Sequence, residues 1–127
     1  MQRMKITAGH QQVMPYLTVV AAENYIDFLK KIFNAQEILR KVDAQHKIEI
    51  SEMIIGDSTL MITEETPANS ANPTALFTYV KDADQTYYDA LDAGATAIMT
   101  PIDEDDATRS AGFKDPFGNT WWIATLH

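Results

Sequence analysis

Apolar positions in the first half of the chain follow two periodicities, one typical of strands and one of helices. Residues 13–20 (VMPYLTVV) are rich in β-branched and aromatic side chains, which favours a strand. Apolar residues then recur at helical spacing and predict one amphipathic helix, which ends at Asn34-Ala35. They are Tyr25, Phe28, Leu29, Ile32 and Phe33. Further strands are predicted at 37–42, 48–55 and 58–63, with a turn at Gly56-Asp57.

The second half of the chain has the same order of elements, βαβββ. A strand is predicted at 74–80, and a helix begins at Asp82, where Gln85 three residues later resembles a capping box. Gly94 suits the left-handed position that follows a helix. The last turn is DPFG at 115–118, a sequence typical of a tight turn. The remaining strands are predicted at 96–102, 108–114 and 119–125.

The two halves resemble copies of one unit at an offset of sixty-one positions. GDSTLMI at 56–62 lies over FGNTWWI at 117–123, and residues 13–28 lie over 74–89 in the same register. Copies of roughly 60 residues are marginal alone, so we expect one domain over 1–127. Its parts are module one at about 12–63, a linker rich in Pro, Asn, Ser and Thr at 64–73, and module two at about 74–126.

Composition and charge exclude several classes of function. The chain has no cysteine, which removes disulfides, thiolate metal sites and cysteine nucleophiles. Ten basic and eighteen acidic residues give a net charge of -8, which disfavours nucleic acid and anionic membranes as partners. No apolar run approaches the ~18 residues of a membrane span, and the first dozen residues lack the apolar region of a signal peptide. We therefore expect a cytoplasmic protein.

Three segments, PYLTV, GDSTLMI and above all DPFGNTWWI, carry a resemblance to a known family. Over about 12–126 the chain resembles the glyoxalase/bleomycin-resistance/dioxygenase superfamily, also called vicinal oxygen chelate proteins, and within it the PhnB-like branch. That branch carries an arginine where Arg109 stands. The chain departs from the branch at two places: a Trp-Gly pair that often precedes the arginine is Asp106-Ala107 here, and a histidine on the third strand is Ile50. The resemblance implies an α+β fold in which two βαβββ modules pair, with curved mixed sheets around a cavity.

The resemblance also implies where metal-dependent relatives place their ligands. Those positions fall here at Met14, Met61, Ala75 and Trp122, which the repeat relates in pairs. Divalent ions require imidazole or carboxylate donors, whereas thioether is soft, alanine has no donor and indole only donates. We therefore predict no metal and no cofactor, with apolar side chains in place of the ligands.

The same positions predict a ligand-binding wall. Strand alternation places the four residues above, with Tyr16 and Phe77, on the inward face, and it places a second set against the helices. The second set is Leu17, Val19, Leu60, Ile62, Leu76, Val80, Trp121 and Ile123. Aromatic and methionine side chains suit an apolar or flat ligand. The alternative is that the inward residues pack together and leave no cavity.

Polar candidates outside that wall have plainer interpretations. Arg109 could bind a ligand carboxylate or phosphonate with two hydrogen bonds, or form a salt bridge with the acidic run at 103–106, which we interpret as a solvated turn. Glu49 and Glu52 are three apart on one strand, so they face opposite sides. No acidic partner or nucleophile stands at a recognisable spacing from any histidine, so none is predicted to be catalytic. The histidines are His10, His46 and His127.

Two classes of function follow from these residues. The first is a metal-free protein that binds or sequesters a small, partly aromatic molecule, as drug-resistance members of the superfamily do. The alternative is a lyase, isomerase or dioxygenase of the same superfamily, metal-dependent or metal-free, whose catalytic residues the sequence does not identify. Because homodimers are common in the superfamily, we also expect a homodimer.

Overall fold

The computed structural model of the chain describes residues 4–127, and it divides them into two compact units. The first unit comprises the chain up to Lys30 together with Asn34–Ala71. The second unit comprises Lys31–Phe33 and Asn72–His127. The division after Ala71 lies inside the predicted linker at 64–73. That the two units form a single domain stays a prediction.

The first unit consists of a mixed four-stranded sheet and most of one helix. The strand order is β1-β4-β3-β2, with β1 parallel to β4 and the other neighbours antiparallel. The elements are β1 (Tyr16–Val19), α1 (Ala22–Phe33), β2 (Gln36–Val42), β3 (Ile48–Ile55) and β4 (Ser58–Glu64).

The second unit repeats this topology. Its strand order is β5-β8-β7-β6, again with one parallel pair, β5 and β8. The elements are β5 (Ala75–Tyr79), α2 (Ala83–Asp92), β6 (Thr96–Asp103), β7 (Thr108–Lys114) and β8 (Thr120–Leu126). The α+β class and the two βαβββ modules predicted from the sequence are therefore confirmed.

The register of the two parallel strand pairs confirms the internal repeat. Tyr16 of β1 pairs with Met61 of β4, and Phe77 of β5 pairs with Trp122 of β8, so both members of the pair shift by sixty-one positions. The hairpin between β7 and β8 has one residue more than that between β3 and β4. As a result Glu52 is the β3 neighbour of Met61, and Gly112 is the β7 neighbour of Trp122.

The first strand and first helix differ from the predicted bounds for local reasons. The predicted strand at 13–20 is only β1, because Pro15 has no N–H and contributes only its carbonyl, which accepts from the Met61 N–H at 2.9 Å. The helix begins at Ala22 after a left-handed residue, Ala21, with φ of 62°. The Glu64 carboxylate accepts both of their N–H groups, at 3.0 and 2.9 Å, and replaces the missing N-cap side chain.

The second helix has the ends predicted from its sequence. Asp82 is the N-cap, and its carboxylate accepts from the Gln85 N–H at 3.1 Å. The helix ends at Asp92, and Gly94 follows with φ of +102°, a conformation that favours glycine.

One face of each sheet is buried in the hydrophobic core. In the first unit the alternating residues of β1 and β4 are buried as predicted, and so are Trp121 and Ile123 of β8 in the second. Leu76 and Val80, predicted to face the same way, are half-buried. The buried residues of the first unit are Leu17, Val19, Leu60 and Ile62.

Candidate functional site

Each sheet has a second face, named here after its central residue. The Met61 face of the first sheet carries Tyr16, Met61 and Glu52 in one row across β1, β4 and β3. The Trp122 face of the second sheet carries Phe77, Trp122 and Gly112 in the equivalent row. Directly paired residues project to the same side of a sheet, so each row lies on one surface.

The Trp122 face exposes three aromatic side chains. Phe77 is 59% exposed, Tyr79 64% and Trp122 37%. The rings of Phe77 and Tyr79 meet edge to face, with centroids 5.2 Å apart. Ala75, also predicted for the site, is an exposed residue on the same face of β5. Sequence reasoning missed Tyr79, although alternation from Phe77 marks it.

Gly112 allows the Trp122 indole to lie across the neighbouring strand. A Cβ atom at Gly112 would stand 2.6 Å from Cε3 of the indole and closer still to Cζ3. Any side chain at this position would therefore displace the ring. The absence of a side chain at Gly112 therefore determines where the indole lies on the Trp122 face.

The hairpin turn before β8 positions both tryptophans. Asp115 is buried, and its carboxylate accepts hydrogen bonds from Phe117 N–H at 2.9 Å, Asn119 N–H at 3.0 Å and the Trp121 indole N–H at 3.0 Å. With Trp121 held on the core face, alternation places Trp122 on the other. The DPFGN sequence at 115–119 is thus a rigid turn that supports the candidate site.

The Met61 face is more polar than the sequence predicted. Tyr16 is 56% exposed, and Met61 is half-buried, as is Met14 two residues before β1. Three threonines lie on this face and are buried. They are Thr18, Thr59 and Thr63.

A histidine and a glutamate form a hydrogen-bonded pair on the Met61 face. His10 Nε2 lies 2.8 Å from Glu52 Oε1, and the two side chains are 13% and 12% exposed. The prediction that no histidine is catalytic rested on the lack of an acidic partner at a recognisable spacing, and the fold supplies such a partner for His10. The prediction itself stays a prediction. The sequence gives no signal for this contact, because the two residues are forty-two positions apart and meet only through the fold.

The four positions that the resemblance relates to family metal ligands carry no suitable donors. The first unit supplies two thioethers, Met14 and Met61, and the second supplies Ala75 and Trp122. Zinc, nickel and iron prefer imidazole, carboxylate or thiolate ligands, so this set does not fit them. Within residues 4–127 no group of three or more His, Asp or Glu side chains could hold a metal ion.

Arg109 lies on the opposite face of the second sheet from Phe77 and Trp122. It pairs with Thr125, which is three residues from Trp122 and so on the opposite face of the sheet. Its Nε donates to Asp84 Oδ1 at 2.6 Å and its Nη1 to Asp103 Oδ1 at 3.2 Å. The structure thus shows the salt bridge with the acidic run at 103–106, and a role of Arg109 in ligand binding stays a prediction.

A surface pocket of about 240 Å³ lies elsewhere on the first unit, near the start of α1. None of the predicted ligand-binding residues lines it. The lining residues are Ala21, Glu23, Asn24, His46, Lys47, Ile48 and Glu64.

Sequence comparison relates the chain to one large family. The model of the Glyoxalase/Bleomycin resistance protein/Dioxygenase superfamily matches residues 9–123. An uncharacterized protein of Mycobacterium bovis is 31% identical over 118 residues, covering 84% of this chain and 78% of that protein. Neither of the two helices in residues 4–127 has the length and apolar character needed to cross a membrane.

Solved structures share the fold at low sequence identity. A PhnB protein from Bacillus cereus superposes with a TM-score of 0.76 at 11% identity, covering 91% of this chain and 100% of that one. TioX from Micromonospora sp. ML1 gives 0.70 at 17%, covering 92% and 97%. The fosfomycin resistance protein FosX from Mesorhizobium loti gives 0.66 at 20%, covering 92% of each chain. With the matching family model, these findings show that the chain belongs to the glyoxalase/bleomycin resistance protein/dioxygenase superfamily, whose members bind small molecules and often form dimers.

Proposed function

We propose that the protein binds or sequesters a small, partly aromatic molecule without a metal ion, and that the Trp122 face carries the binding. The observation behind this proposal is the set of three exposed aromatic side chains on one sheet face: Phe77, Tyr79 and Trp122. A contiguous exposed apolar patch on a protein surface commonly marks a site that binds a ligand or a partner.

The chemistry of the face favours a flat, uncharged ligand. Aromatic pairs contribute about 0.5–1.5 kcal/mol each beyond the burial of their area. The indole of Trp122 adds a single donor, and the net charge of -8 disfavours an anionic ligand. Met14, Met61 and Tyr16 would offer a similar, softer surface on the first unit.

Membership of the superfamily is consistent with this role. One structural neighbour is a fosfomycin resistance protein, so the fold occurs in a protein that confers resistance to a small molecule. At 20% identity that likeness concerns the fold alone. The donor chemistry at Met14, Met61, Ala75 and Trp122 separates this chain from metal-dependent relatives.

An enzyme is the second candidate, and the His10–Glu52 pair is the observation that favours it. An imidazole oriented by a carboxylate is a common general base. A metal-free lyase or isomerase could use such a pair, whereas a metal-dependent enzyme or dioxygenase would need donors that the four family positions lack. Binding remains our preferred function, because no second catalytic group accompanies the pair among the described residues.

Fluorescence with a neutral aromatic dye tests the proposal. Nile red should bind the native protein, and Trp122→Ala should weaken that binding about tenfold, the equivalent of one lost stacking contact near 1.4 kcal/mol. Tyr88→Ala is the control, since Tyr88 is an exposed aromatic on α2, away from both sheets' central rows. Equal loss in the two variants, or none in Trp122→Ala, would contradict the proposed surface.

Native mass spectrometry of freshly purified protein examines the remaining parts of the proposal. We expect a homodimer, no stoichiometric metal and, where a ligand co-purifies, an organic molecule of low mass. One zinc, nickel or iron ion per chain would overturn the metal-free assignment. A monomer would contradict the expected homodimer and would not affect the proposal that the Trp122 face binds a ligand.

A further inference from the structure

The His10–Glu52 pair is held by a segment that the fold fixes in place. Thr59 of β4 donates its hydroxyl to the Gly9 carbonyl at 2.7 Å and its N–H to Gln11 Oε1 at 3.0 Å. Gly9 has φ of +83°, which turns the chain at this point. The two residues that flank His10 are thus both bonded to the same buried threonine. An imidazole at a chain end would otherwise be free to move.

The hydrogen bond with Glu52 determines which ring nitrogen remains available. A carboxylate only accepts, so His10 Nε2 carries the proton that joins the two groups. In the neutral imidazole Nδ1 then has a lone pair. It makes no hydrogen bond with another described residue, and the His10 side chain is 13% exposed.

We propose that this pair is a binding site for the weakly acidic hydroxyl of a small molecule, a phenol or an enol, which donates to His10 Nδ1. Glu52 is a positioning residue that fixes the tautomer and makes the free nitrogen a stronger acceptor. The proposal concerns the first unit alone, and it holds whether or not the Trp122 face binds a ligand.

The surroundings favour a hydroxyl over the other groups that an imidazole can bind. An anionic carboxylate or phosphate would be repelled by Glu52 and by the net charge of -8. Met61 and Tyr16 share the row with Glu52 and present a thioether and an aromatic ring. A phenol or enol brings a good donor and an apolar body that suits these two side chains.

A matched pair of probes tests the site, 2-naphthol and 2-methoxynaphthalene, which share the naphthalene body and of which only 2-naphthol can donate a hydrogen bond. In an NMR titration of the full chain at pH 8, the imidazole ¹⁵N signals of free His10 should show the tautomer protonated at Nε2. Addition of 2-naphthol should shift the Nδ1 signal, whereas the methoxy probe should not. We expect 2-naphthol to bind about five- to tenfold more tightly, as one added hydrogen bond allows.

Two substitutions separate this site from the Trp122 face. His10→Phe should remove the preference for 2-naphthol while leaving binding of the methoxy probe unchanged. Glu52→Gln should reduce the preference and mix the tautomers, since a neutral amide holds the imidazole less strongly. His46→Asn and Glu49→Gln are the controls, a histidine in the β2–β3 turn and a glutamate on the same strand, and both should behave like the native protein.

Three results would overturn the proposal: a free imidazole protonated at Nδ1, equal affinity for the two probes, or an unmoved His10 signal when 2-naphthol is bound. If both probes bind equally and Trp122→Ala abolishes both, the binding function of the second unit stands and the His10 site is rejected. If the hydroxyl preference depends on His10 and survives Trp122→Ala, the His10 site stands independently of the Trp122 face.

Discussion

The two sheets share a backbone plan and differ in the chemistry of their central rows. Tyr16, Met61 and Glu52 cross the Met61 face, where the glutamate holds His10. Phe77, Trp122 and Gly112 cross the Trp122 face, where the glycine accommodates an indole. A duplicated fold therefore keeps its strand order while its two faces carry different side chains. One face offers a directed polar group and the other a broad aromatic surface.

The largest difference that we expect lies in the two hairpin turns that lead to these faces. Asp115→Ala removes a buried carboxylate that accepts three hydrogen bonds and should cost about 3 kcal/mol of unfolding free energy. Asp57→Ala, in the exposed turn between β3 and β4, should stay within about 0.5 kcal/mol. Urea unfolding of the two variants measures both values. Equal costs would mean that the turns are equivalent in spite of their sequences.

A methyl group at Gly112 should have the next largest effect. Gly112→Ala forces the Trp122 indole away from the strand, and overpacking of this kind costs about 1–3 kcal/mol. The displaced indole should become more exposed, with a red-shifted fluorescence emission, and Nile red binding should weaken. Urea unfolding and the emission spectrum report the two consequences.

A double-mutant cycle identifies the cause of that loss. With Trp122→Leu as the background there is no ring over Gly112, so adding Gly112→Ala should then cost little. A cost that persists in the Trp122→Leu background would place the strain in the backbone of β7 instead. Gly112 would then not be needed to position the Trp122 indole.

Much of the fold was predictable from the sequence, because strand and helix periodicities are local and occur twice. The bounds of β3 and β7 match the predicted ranges, and Asp82 caps α2 as its spacing with Gln85 predicted. Errors arose where a single residue overrides the pattern. Pro15 shortens β1, and the distant Glu64 carboxylate allows α1 to begin without an N-cap side chain.

The site was less predictable, because it depends on pairings between distant residues. Alternation correctly separated Trp121 from Trp122, since these are neighbours on one strand. It could not show that His10 meets Glu52. The sequence correctly predicts that Arg109 lies on the strand at 108–114, but it does not predict which face of the sheet the side chain occupies. The register of Arg109 with Thr125 places it on the face opposite the aromatic surface.

The smallest expected effect concerns an ion pair that each unit makes with the first turn of its helix. Arg40 of β2 donates to Glu23 of α1 at 3.2 Å, and Arg109 of β7 donates to Asp84 of α2, the residue that the repeat places over Glu23. The hydrogen bonds from Arg109 hold the pKa of Asp84 below its usual 3.8. A carboxylate with a lowered pKa stabilises the fold while it is ionised, so this contribution is present above the usual value and is lost as the pH falls through the lowered one.

Asp84→Asn should therefore lower the urea midpoint slightly at pH 7, and this difference should shrink as the pH falls below 3.8, the usual pKa of the carboxyl. The effect should be well below that of Gly112→Ala, because the pair is partly exposed and screened by solvent. Asp92→Asn at the other end of α2 is the control, and it should leave the midpoint unchanged or raise it, since an acidic residue there opposes the helix dipole. A midpoint difference for Asp84→Asn that is as large at pH 3 as at pH 7 would show that the residue acts through packing and not through its charge.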